Sequence, residues 1–81
     1  MKKYTFYIEY DGKRTISNSY DSPIDTIVAD EAAIAVSRFA AKNKIKQISV
    51  DSLNGDEFRA FFVNRSLFGK SRELIYYIRV E

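Results

Sequence analysis

The stretch DSPIDTIVADEAAIAVSRFAAKNK, Asp21 to Lys44, decides how the rest of the chain is arranged. Read as one element, it is a helix. Ser22 can cap it, Pro23 fits the first helical position, and Asp25 follows in the first turn. Acids lead (Asp25, Asp30, Glu31) and bases trail (Arg38, Lys42, Lys44), the order that suits the helix dipole. Val28, Ala32, Ala35 and Phe39 form an apolar stripe, with Thr26, Asp30 and Ser37 opposite. Ile27, Ile34 and Ala41 fall on one flank, so the apolar surface is wider than one sheet contact requires.

Upstream, KYTFYIEY alternates. Tyr4, Phe6, Ile8 and Tyr10 share one face of a strand, and Lys3, Thr5, Tyr7 and Glu9 share the other. Asp11-Gly12 signals a hairpin. A two-residue loop would place Ile16 and Tyr20 on the polar face. A three-residue loop with Gly12 left-handed pairs Glu9 with Lys13 and Phe6 with Ile16, and keeps Ile16 and Tyr20 with the apolar set; that register is expected.

Downstream, KQISVDSL reads as a third strand, and Asn54-Gly55 turns it into DEFRAFFVN. Phe58, Phe61, Phe62 and Val63 occupy both faces of that strand, the pattern of a central one. RELIYYIRVE alternates again, Leu74, Tyr76, Ile78 and Val80 against Ile75, Tyr77 and Arg79. The expected fold is α+β: one domain, residues 1–81, in two layers, an antiparallel sheet in the order β-β-α-β-β-β with one helix packed across one face. A single helix leaves Tyr7, Ile45, Ile75, Tyr77 and either Phe61 or Phe62 on the other face, and a contiguous aromatic set there marks an interaction surface.

Composition narrows the chemistry. The 81 residues are 46% hydrophobic and 15% aromatic, enough to build a core in a chain whose small size leaves little margin of stability. There is no Cys and no His, which removes disulfides, thiolate metal sites, the commonest metal ligand and the commonest general base. MKKYTFYIEYDG breaks its apolar run with Glu9 and Asp11, so it reads as mature protein and not as a signal peptide. No apolar run has the length of a membrane helix, and a cytoplasmic protein is expected, in the host cytoplasm if phage-encoded. Thirteen basic and eleven acidic residues leave a net charge of +2, so any basic function must come from clustering.

Gly69-Lys70-Ser71 invites a phosphate-loop reading, but Asn64 stands where the pattern needs glycine and a strand follows where it needs a helix. Asp51, Asp56 and Glu57 flank a turn without the spacing of a cation loop. Each lysine lies in a polar stretch, which does not suit Ser-Lys catalysis. No enzyme activity, cofactor or metal is expected. The remaining signal is NRSLFGKSR, Asn64 to Arg72, read as a nine-residue connection with three cations and an apolar pair. Its expected role is a partner contact, in which Arg65, Lys70 and Arg72 steer an acidic partner while Leu67 and Phe68 supply dry contact. An equally open reading folds Leu67 and Phe68 back onto the core. Tyr7 and Tyr77 on the sheet, and Ile27 and Ile34 on the helix flank, complete the candidate contact residues.

In size and layout the chain resembles the small phage-borne inhibitors of bacterial defence, such as anti-CRISPR proteins. The resemblance rests on overall arrangement and on no motif, so it transfers no residue. It implies a non-enzymatic binding protein that docks on a larger protein or nucleoprotein complex. Two alternatives stay open. One is a nucleic-acid-binding domain using the basic loop and the aromatic face, for which FRAFFVNR only faintly echoes the RNA-binding sheet signature. The other is a homodimer whose open faces cover each other.

Overall fold

The computed structural model describes residues 1–16, 22–65 and 71–81, with the main chain alone at residue 65. Strand β1 (Lys2–Tyr10) is followed by β2 (Asp25–Ala29), helix α1 (Ala32–Asn43), β3 (Lys46–Asn54), β4 (Glu57–Arg65) and β5 (Ser71–Val80). The five strands form one sheet in the order β2-β1-β5-β4-β3, with every neighbouring pair antiparallel. The helix packs on one side of it, so the fold is the expected two-layer α+β arrangement.

The decisive stretch is two elements, not one helix. Asp25 to Ala29 pairs with β1, Phe6 opposite Asp25 and Lys2 opposite Ala29. The residues permit this: Thr26, Ile27 and Val28 are β-branched, stiff in a helix and at home on a pleated surface. As a strand they also satisfy the free edge of β1 and turn Ile27 and Ala29 toward the core. The helix begins only where the Ala-rich run begins. Its N-cap residue, Glu31, makes no side-chain cap bond. Ser22 and Pro23 therefore lie before a strand, and Ser22 caps nothing.

The hairpin after β1 also differs from expectation. Tyr10 bridges Thr15, and the Ile16 N–H donates to the Glu9 carbonyl at 2.9 Å. Asp11 Oδ1 accepts the N–H groups of Lys13 and Arg14 at 2.9 and 3.0 Å and closes a loop one residue longer than the expected one. Ile16 thus stands beside Glu9, not Phe6. Gly12 does take a positive φ, 94°. Tyr20 lies outside the described residues.

Opposed residues of an antiparallel pair share a face, so register sorts the sheet. Tyr4, Phe6 and Ile8 face the helix with Phe58, Ala60, Phe62, Leu74, Tyr76, Ile78 and Val80. Phe39 reaches down from α1 into this set. It stacks on Phe6 at 4.1 Å between ring centroids, meets Tyr76 edge-on at 4.8 Å, and tilts against Phe62 at 5.6 Å. Ala35 and Ala40, buried either side of Phe39 with Val36, let the helix approach this closely. Of the expected stripe, Ala32, Ala35 and Phe39 face the core, whereas Val28 sits exposed on β2. Ile45 packs against the core and not on the far face.

The helix ends with Lys44 in the left-handed region (φ 56°, ψ 42°), and the Ile45 N–H donates to the Ala40 carbonyl at 3.0 Å. This six-to-one bond closes the last turn and sends the chain directly into β3. At the other end of the sheet, β4 and β5 stay paired out to Arg65 opposite Ser71. The connection read as Asn64 to Arg72 is accordingly shorter: residues 64, 65, 71 and 72 belong to strands.

Candidate partner-binding face

The side of the sheet away from α1 is organised in cross-strand rows. Tyr7, Tyr77, Arg59 and Asp51 form one row across β1, β5, β4 and β3. Thr5, Arg79 and Glu57 form the next. These two rows cover their own rings. Tyr77 is only 4% exposed, although it is on the side of the sheet away from α1. Its hydroxyl donates to Glu57 Oε2, Tyr7 tilts against its ring at 5.9 Å, and the Arg79 guanidinium lies 5.9 Å from its centroid. Glu9 accepts from Arg59 Nε at 2.8 Å and Nη2 at 3.3 Å, a forked pair that bridges β1 and β4 over β5. The expected exposed tyrosine platform is instead half sealed by paired charges.

The apolar opening lies one row further on. A bulge at Glu9 shifts the register between Ile8 and Tyr10, so Tyr10 opposes Ile75 and turns to the open side. Sequence alternation had placed Tyr10 with the core-facing set; the extra residue reverses its parity. Ile75 in turn opposes Phe61, and Phe61 opposes Ser49. Phe61 lines two depressions. The first, about 350 Å³, is formed with Glu9, Tyr10, Thr15, Arg59 and Ile75. The second, about 540 Å³, is formed toward the β3 edge by Ile48, Ser49, Asp51, Val63 and Glu73 beside Phe61. Phe61 is the ridge between them. Acids line both hollows, and Asp51 and Glu73 line the larger one with no cation among its described residues.

The other candidate residues scatter. Ile27 is on β2 and packs against the core, so it does not form a helix flank with Ile34. Ile34 is on the helix and 39% exposed. Arg72 is exposed on β5, and its side-chain stem lies against Gly12. Arg65 closes β4 opposite Ser71. Leu67, Phe68 and Lys70 lie outside the described residues. Asp56 lies in the β3–β4 turn, its N–H donating to Asn54 Oδ1, Glu57 is held by Asn54 and Tyr77, and Asp51 stands across from Arg59. Among the described residues, no group of three or more His, Cys, Asp or Glu side chains is placed to hold a metal ion. Among the same residues, no helix is long and apolar enough to cross a membrane.

No family model matches the chain, and no curated protein and no solved structure shows detectable similarity to it. Tyr10, Phe61 and Ile75 were each visible in the sequence as apolar strand residues. What the sequence hid is that a bulge aligns all three in one row.

Proposed function

We propose that this chain is a non-catalytic binding protein that docks on a larger protein or nucleoprotein assembly through the open face of its sheet. The observation that supports it is the Tyr10–Ile75–Phe61 row, an apolar ridge flanked by two hollows on the side of the sheet away from α1. A ring standing between hollows and rimmed by charge has the form of an interface anchor. Asp51 and Glu73, lining the larger hollow, favour a partner that presents apolar groups beside cations. The same acids repel phosphate, which weighs against nucleic acid as the ligand of this face. The resemblance in size and layout to phage-borne inhibitors suggests bacterial defence complexes as the first targets to try.

The test is comparative capture. Immobilised wild-type protein and a Phe61→Thr variant are exposed to bacterial lysate treated with nuclease, and retained proteins are identified by mass spectrometry. Threonine keeps strand propensity while removing the ring. A protein retained by wild type and lost with Phe61→Thr supports the reading. Equal retention by wild type and Phe61→Thr contradicts it.

A further inference from the structure

Two strands end the sheet, β2 and β3, and they are finished differently. β2 has five residues, and its polar groups are engaged from within the chain. Arg38 Nη1 donates to the Val28 carbonyl at 2.8 Å, the Thr26 N–H donates to Asp25 Oδ1 at 2.8 Å, and Asp25 is bound in turn by Lys42. Pro23, just before the strand, brings no donor. β3 has nine residues and contains no proline, and all but Val50 are exposed. Ile48 is 56% exposed and Leu53 43%. Among the described residues, one side chain reaches its main chain: Ser52 Oγ donates to the Asn54 carbonyl at the strand's last residue. A long edge left in this state is a template for another strand.

The charges on β3 say which strand. Lys46 opens it, just after Lys44 at the helix end, and Asp51 stands toward its far end, with Asp56 in the turn beyond. A second β3 laid antiparallel sets each cationic end beside an acidic end; a parallel one sets like against like. The bulge between Gln47 and Ser49 strengthens the match. It consumes one residue, so Lys46 (opposite Val63) and Asp51 (opposite Arg59) lie on the same open side despite their odd spacing. Arg59, the neighbour of Asp51 within the chain, is held by Glu9. We propose that β3 pairs antiparallel with β3 of a second copy of this chain, about a two-fold axis normal to the sheet, with each Lys46 beside Asp51 of the other copy. The pairing joins two five-stranded sheets into one and brings the two larger hollows to either side of the seam.

Charge reversal tests this without touching the core. Sedimentation velocity is measured over a concentration series for wild type, Lys46→Glu, Asp51→Lys and the double reversal, with thermal melts to verify folding. The expected result is a monomer–dimer equilibrium in wild type, a dissociation constant raised roughly tenfold by each single reversal, and recovery toward wild type in the double variant. Wild type monomeric at its highest soluble concentration overturns the proposal. So does a dimer indifferent to both reversals, or one dissolved by Phe61→Thr in their place, which would assign the contact to the open face.

Discussion

Two main-chain positions show how single residues set the geometry. Gly12 has φ of 94°, and a Cβ placed there would come within 2.9 Å of the Arg72 Cβ. Both the left-handed backbone and the close approach oppose any side chain. Gly12→Ala should lower stability by about 1–3 kcal/mol in urea denaturation, the usual range for strain at such a position. Lys44 is the converse. It occupies the left-handed position that ends α1, where glycine carries no Cβ penalty. Lys44→Gly should raise the melting temperature, by an increment corresponding to roughly 0.5–1 kcal/mol. A lower melting temperature would show that the lysine side chain contributes more at that position than its backbone strain costs. The Glu9–Arg59 pair is geometrically good, but its side chains are 20% and 40% exposed. A double-mutant cycle should return coupling of no more than about 1 kcal/mol.

At the scale of elements, the keystone is Phe39. Fully buried, it joins α1 to β1, β4 and β5 through Phe6, Phe62 and Tyr76. Phe39→Ala should cost about 3–5 kcal/mol, most of the margin available to a domain this small. Circular dichroism should then show loss of a cooperative melt. The Asp25–Lys42 bond, 2.7 Å long, ties β2 to the end of the helix and holds the Asp25 carboxyl below its ordinary value of 3.8. Asp11 is lowered likewise, by the N–H groups of Arg14 and Lys13. A carboxylate whose folded value is depressed stabilises above its unfolded value and loses that contribution as pH falls through the folded one. Stability should therefore decline below about pH 4, and less steeply in Asp25→Asn. Burial raises the Tyr76 phenol above its ordinary value of 10.0, so its contribution is present below that value and fades as pH rises past it. Tyr76→Phe should flatten the alkaline limb of the same titration. Element boundaries show which parts were legible in the sequence. Strands β3, β4 and β5 and the Asn54-Gly55 turn follow from alternation and turn chemistry, which are local signals. The split between Ala29 and Ala32 is not local. Ile27 and Val28 fit a helical stripe as well as a strand, no Gly or Pro marks the break, and Ser22-Pro23 imitates a helix start. Pairing with the edge of β1 decides the matter, and that is a tertiary effect.

At the scale of the whole molecule, one helix on a five-stranded sheet leaves a second face to be dealt with, as alternation alone predicted. Which residues would be open on it was not legible. Tyr77 was expected at the surface and lies beneath Tyr7, Glu57 and Arg79. Tyr10 was expected inside and is turned out by one extra residue at Glu9. Both outcomes depend on register across three strands, which no single strand encodes. The resulting face has a charged, largely closed half and an apolar half centred on Phe61. The apolar half is the proposed docking surface. Calorimetric titration of a captured partner with wild type, Phe61→Thr and Ile34→Thr, at matched melting temperatures, tests that claim most directly. The predicted result is a loss of affinity of at least tenfold, about 1.4 kcal/mol, for Phe61→Thr alone, with Ile34→Thr binding as wild type does. Unchanged affinity in Phe61→Thr, or an equal loss in Ile34→Thr, would contradict it.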